Sequence, residues 1–272
     1  MALKTNMSRT EFVKKNIFYG YVSTIITSFF SVVARTVFVY TLGASYLGVS
    51  GLFTNVLGVL SFTELGIGSA IVFALYKPVA ENDREKIKSL LALYKKAYRI
   101  IAITVGAIGV LIIPFLNYLV NSEIPMSEIK KFYVIFLFNT VSSYFVTYKT
   151  SYVTALQKEY IITNTMTIGT IATNILQIIL LLLGGTYLEY LLIAAFIGLV
   201  QKIVTVYYLN NKFPILKERN VKNLDDKTRR DIWKNVKALI IHKIGDVSVN
   251  QTDNIIISAF VSTTAVGLLS NY

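Results

Sequence analysis

Cysteine is absent from these 272 residues, and histidine occurs once, at His242. Without thiolates and with one imidazole there is no disulfide framework, no thiol nucleophile and no Cys/His metal centre. Acid is scarce as well, with 15 Asp and Glu against 27 Lys and Arg, so the chain carries a formal net charge of +12. Charge of either sign is thin, at 15% of residues, whereas 54% are hydrophobic. Mean hydropathy is positive. A water-soluble domain is excluded by this balance, and the chain reads as an integral membrane protein. A phosphate-binding loop is missing too. The run Gly66-Ile67-Gly68 lies within an apolar segment rather than at a strand-to-helix turn. The outer loops offer only Glu123 and Glu128 as acids, too little for a membrane transferase. No catalytic residue, metal or cofactor is therefore expected.

Long apolar runs fill the space left by these absences. A helical crossing needs about 20 mostly apolar residues, and seven segments qualify: 17–42, 47–76, 97–120, 132–155, 161–184, 188–209 and 239–261. The first is longer than a signal-peptide core and lacks a small-residue cleavage site, so it is expected to be retained. If the N-terminus is cytoplasmic, twenty Lys and Arg fall in inner segments and only Lys130 and Lys131 fall outside. The positive-inside rule thus predicts a cytoplasmic N-terminus, and topology accounts for much of the basic charge. A nucleic-acid partner is not expected, since these cations sit in short loops between membrane helices. Membrane lipids are the natural surroundings. Tyrosines near span ends, among them Tyr40, Tyr118, Tyr133, Tyr187 and Tyr207, suit the headgroup level as anchors.

Three spans place polar residues at alternating steps of three and four, on one helical face. The first carries Tyr21, Thr24, Ser28, Ser31 and Arg35, the fifth Thr163, Thr167, Thr170, Asn174 and Gln177, and the seventh His242, Asp246, Asn250 and Asp253. A charge at that depth costs about 2.5 to 3.5 kcal/mol on insertion scales. For the first and seventh spans the stripe points to a water-accessible cavity. For the fifth, hydrogen bonds between helices are the simpler account, at about 0.6 kcal/mol each. Arg35 and Lys149 are near enough to span ends to snorkel instead. Glu64, inside the second span, needs a partner, a proton or a cavity. Asp246 and Asp253 could hold a coupling ion or pair with Arg35 and Lys149.

The polar segment 210–237 reads as a basic linker, with 226–237 either a short helix along the membrane surface or a solvated loop. An offset of 219 residues aligns Leu47-Gly48 with Val266-Gly267, Gly43 with Ser262 and Arg35 with Asn254. Faint internal symmetry of this kind marks transporter repeats. The expected organisation is an all-α membrane bundle, with a six-helix lobe over 1–209, a linker over 210–237 and the start of a second lobe over 238–272. On this reading the sequence is an N-terminal fragment.

Ala34-Arg35-Thr36, Leu42-Gly43-Ala44-Ser45-Tyr46-Leu47-Gly48 and Leu60-Ser61-Phe62-Thr63-Glu64-Leu65-Gly66-Ile67-Gly68 resemble the first two helices of bacterial polysaccharide flippases of the Wzx type. Thr252-Asp253-Asn254-Ile255-Ile256-Ile257-Ser258 and Val266-Gly267-Leu268-Leu269-Ser270-Asn271-Tyr272 resemble the start of their second half. The resemblance implies the multidrug/oligosaccharidyl-lipid/polysaccharide exporter superfamily. It implies two lobes around a cavity that carries an undecaprenyl-diphosphate-linked oligosaccharide across the plasma membrane by alternating access. By that analogy Arg35, Lys149 and Lys243, with Ser28 and Ser31, would meet the cargo, and Glu64, Asp246 or Asp253 would handle a coupling ion. A polysaccharide polymerase and glycosyltransferases would be its working partners. An ion-coupled multidrug antiporter of the same superfamily is the alternative.

Overall fold

The computed structural model describes residues 9–61, 67–218, 224–226, 228–238 and 253–269, and every regular element among them is helical. Helix α1 (Arg9–Leu42) is followed across Gly43 by α2 (Ala44–Leu60), then α3 (Ile67–Glu81) and α4 (Arg84–Ile112). A 3-10 turn at Ile113–Phe115 leads to α5 (Leu116–Leu119), and the long rods α6 (Met126–Ala155), α7 (Tyr160–Leu182) and α8 (Tyr187–Lys212) come next. A second 3-10 turn at Pro214–Lys217 precedes α9 (228–238), α10 (Asp253–Phe260) and α11 (Thr263–Leu269). The chain is an all-α membrane helix bundle.

Among the described residues, four helical stretches are long and apolar enough to cross a bilayer: Thr10–Leu42, Arg84–Leu119, Tyr160–Leu182 and Tyr187–Lys212. At 1.5 Å per residue, the 30-residue α6 spans about 45 Å. It is more polar because it sits inside the bundle, where Ile129, Phe132, Tyr133 and Val153 are buried. The expected continuous second span, 47–76, is instead two helices. Ser61 closes α2 at φ −71°, ψ 3°, and α3 starts at Ile67. Glu64 falls between them, outside the described residues.

Contacts define two ends. At the basic end the start of α1, the α3–α4 and α6–α7 turns and the end of α8 meet. Asn16 donates to the Gln157 carbonyl at 3.0 Å and accepts from the Tyr160 amide at 2.9 Å. Lys158 lies over the rings of Phe12 and Phe213 at 5.4 and 5.6 Å. Helix α9 docks here through buried Ile232 and Val236, while Trp233 stays exposed. Residues 228–238 are thus helical, and they pack on the bundle through two of the three apolar points of the segment.

Beyond α8, Glu218 pairs with Arg84 and lies 3.6 Å from Lys88. The Arg84 guanidinium holds the Glu218 carboxyl below its ordinary value. A depressed folded-state value means that the pair stabilises the fold above the ordinary carboxylate range and stops doing so as pH falls through the lowered value. Thermal unfolding of Glu218→Gln should therefore differ from wild type at neutral pH, and the difference should close on acidification. A gap that persists unchanged at low pH would contradict this.

At the opposite end, aromatic residues build a second core. Tyr187 is 2% exposed and contacts the rings of Phe38, Tyr46, Phe132 and Tyr190 at 5.8, 4.9, 4.6 and 6.2 Å. Its hydroxyl lies 2.6 Å from Ser50 Oγ. Tyr133 donates to the Gly109 carbonyl at 3.0 Å. These two tyrosines tie helices together rather than anchoring in headgroups, whereas Tyr40, Tyr118 and Tyr207 are exposed as anchors should be.

The offset of 219 reappears in three dimensions. Ser45 Oγ and Thr264 Oγ1 are 2.7 Å apart. A Cβ on Gly48 would lie 1.6 Å from the Thr263 carbonyl oxygen, and one on Gly267 would lie 2.1 Å from that of Ala44. Ala44 and Thr263, Ser45 and Thr264, and Gly48 and Gly267 are each separated by the same number of residues. The α2–α11 crossing is therefore reciprocal, as an isologous two-fold contact is. The loop after α5 clasps it, with the Asn121 side chain donating to the Val261 carbonyl at 2.9 Å and the Thr263 amide to the Asn121 carbonyl at 2.9 Å.

Candidate functional site

Two separate features carry the cationic chemistry. The first is the open face of α1. Tyr21, Thr24, Ser28, Ser31 and Arg35 are all exposed, whereas Ala34 and Phe38, which flank this stripe on the same helix, are 4% and 3% exposed. Arg35 lines a shallow groove of about 310 Å³ with Val32, Thr36, Val39 and Tyr40. Ile25, Phe29 and Val32 are exposed as well, so the hydrophilic stripe belongs to a broad surface of α1 that lies outside the lobe's own core.

The fifth-span stripe, on α7, does not share that exposure. Thr167 Oγ1 lies 2.6 Å from Ser23 Oγ, and Asn174 donates to Ser31 Oγ at 3.3 Å. Gln177 is buried and donates to the Tyr190 carbonyl at 3.0 Å. These groups pack between α7 and its neighbours α1 and α8, which matches the helix-interface account.

The second feature is a cavity of about 560 Å³ between α4, α6 and α8. Lys95 and Arg99 reach it from α4, Lys149 from α6 and Lys202 from α8. Lys149 is 6% exposed, hydrogen-bonds Asn210 Oδ1, and lies 5.6 Å from the centre of the Tyr148 ring. Lys95 stands over the same ring at 6.0 Å. Lys202 donates to Ser142 Oγ at 2.7 Å and the Asn139 carbonyl at 3.2 Å. Among the described residues no Asp or Glu lines the cavity.

The structure does not bring Arg35 and Lys149 into one cavity: they occupy these two different features. Ser28 and Ser31 share the α1 face with Arg35. Asp253 is exposed at the start of α10. Lys243 and Asp246, like Glu64, lie outside the described residues. Sequence reasoning missed Lys95, Arg99 and Lys202 as companions of Lys149, because each reads as a charge near a span edge. Their common signal is distance from the basic end. Arg99 is fifteen residues from Arg84, Lys202 ten from Lys212 and Lys149 six from Ala155.

No group of three or more metal-ligating side chains occurs among the described residues. No curated protein and no solved structure matched this chain. The polysaccharide biosynthesis protein family matches residues 13–272, nearly the whole chain. The chain belongs to the polysaccharide biosynthesis protein family.

Proposed function

We infer that this protein is a carrier rather than an enzyme, and that it moves an undecaprenyl-diphosphate-linked oligosaccharide from the inner to the outer leaflet of the bacterial plasma membrane. The observation that carries the reading is the exposed α1 face. A membrane helix that leaves Tyr21, Thr24, Ser28 and Arg35 exposed outside its own lobe needs something other than hydrocarbon against them. The reciprocal α2–α11 crossing indicates what that is. On this reading α10 and α11 belong to a second lobe related to the first by a local two-fold, and the cavity forms between the lobes. The basic end faces the cytoplasm, so the crossing seals the outer end, and alternating access opens it.

Arg35, with Ser28 and Ser31, meets the diphosphate, and Asp253, exposed at the start of α10, serves the coupling ion. Moving two negative charges outward across an inside-negative membrane is favourable by about 2.3 kcal/mol per charge per 100 mV. A cation on the route offsets the loss of hydration along the way. Glycosyltransferases supply such a cargo, and a polymerase consumes it.

Arg35→Ala should lower surface polysaccharide at least about tenfold, the equivalent of one strong charge-assisted contact. Its abundance in membranes should match wild type. Undiminished polysaccharide would reject the assignment. Uptake of organic cations by vesicles containing the protein would favour the antiporter instead.

A further inference from the structure

We propose that the cavity between α4, α6 and α8 holds the phosphate headgroup of an anionic phospholipid of the leaflet at the basic end. The proposal rests on the chain being a membrane protein and not on the transport reading. The site is built from different helices than the Arg35 groove and shares no residue with it.

Four cations from three helices converge on one space. The partners of Lys149 and Lys202 are all neutral: an asparagine amide, a tyrosine ring, a serine hydroxyl and a backbone carbonyl. Since no carboxylate among the described residues lines the cavity, the positive charge there is left for a ligand to balance. Like charges held this close repel one another, and an anion that accepts hydrogen bonds from several of them at once removes the repulsion. Phosphate does so with its several oxygens.

The flanks select a lipid over a soluble anion. Phe145, Leu199, Ile203 and Tyr207 line the cavity and are also among the outward-facing hydrophobic residues of α6 and α8. A headgroup entering from the side can therefore leave its acyl chains along the same apolar surface. The charges lie below the helix ends, by about 9 Å for Lys149, about 15 Å for Lys202 and about 22 Å for Arg99 by helix rise. A volume of about 560 Å³ suits one small ligand, which fits a phospholipid head better than a head extended by a sugar chain.

The test uses the full chain in nanodiscs of phosphatidylcholine and phosphatidylglycerol, followed by native mass spectrometry after partial delipidation. Wild type should retain phosphatidylglycerol selectively. Lys149→Gln with Lys202→Gln should retain about tenfold less, a change of one decade in affinity. Lys149→Arg with Lys202→Arg should keep it, which separates loss of charge from loss of fold. Lys130→Gln with Lys131→Gln, at the other end, should behave as wild type. If the double glutamine variant does not purify as a single species, Lys95→Gln with Arg99→Gln takes its place under the same criterion. Retention equal to wild type in the glutamine variants overturns the site. Displacement by inorganic pyrophosphate would make it a free-anion site, and displacement by a polyprenyl diphosphate would make it a cargo site. Either result overturns the phospholipid assignment.

Discussion

Gly48→Ala should uncouple α2 from α11. The added methyl would stand 1.6 Å from the Thr263 carbonyl oxygen and 2.6 Å from its carbon. Both are backbone atoms, so no rotamer change can relieve the overlap. Overpacking of this kind typically costs about 1 to 3 kcal/mol even where side chains can yield. The native chain has no cysteine, which makes a clean reporter available. A Ser45→Cys, Thr264→Cys pair replaces two hydroxyls that are 2.7 Å apart and should oxidise readily to a disulfide. Adding Gly48→Ala should cut the yield about tenfold, corresponding to about 1.4 kcal/mol of displaced equilibrium. Surface polysaccharide should fall with it. Gly267→Ala should act the same way, through its 2.1 Å approach to Ala44. Gly20→Ala, where a Cβ meets nothing within 4 Å, should leave both readouts unchanged. An undiminished disulfide in Gly48→Ala would remove the crossing from the argument.

The second large effect is expected at Tyr187, the first residue of α8. Its ring joins α8 to α1, α2 and α6 through Phe38, Tyr46 and Phe132, and its hydroxyl reaches Ser50. Truncating a buried aromatic costs about 3 to 5 kcal/mol, because the packing contacts vanish and the space refills only partly. Tyr187→Ala should therefore lower the unfolding midpoint in detergent sharply. Tyr187→Phe keeps the ring contacts and gives up one hydrogen bond, about 0.6 kcal/mol on average between membrane helices. Similar losses for the two variants would show that the hydroxyl, not the ring, organises this end.

How far the sequence alone could be read depends on where the information lies along the chain. Spans α1, α7 and α8 are continuous apolar runs, so length and hydropathy suffice for them. The two-helix second span was not readable in that way. The apolar residues of α2 and α3 run close enough together in sequence to fit one long crossing, and apolar length alone does not show that α2 ends at Leu60. The 219-residue echo could be read, because it is a property of sequence register, and the Ser45–Thr264 and Gly48–Gly267 pairs give it physical content. The α1 stripe follows from helical register alone, which puts Arg35, Ser28 and Ser31 on one face. Its expected companion Lys149 belongs elsewhere, since periodicity says which side of one helix a residue occupies and nothing about the azimuth of a neighbouring helix. For the same reason Lys95, Arg99 and Lys202, more than a hundred residues apart at the extremes, converge in space without any local motif.

Helix α6 buries Tyr144, Tyr148 and Lys149 against α4 and α8. During biosynthesis it leaves the ribosome before α8 exists. At that moment its hydroxyls and its lysine have no cavity to occupy, and the bilayer offers them nothing in exchange. The segment must linger beside the insertion machinery until the later helices arrive, so assembly of this lobe is governed by the order of synthesis as well as by the hydropathy of each segment.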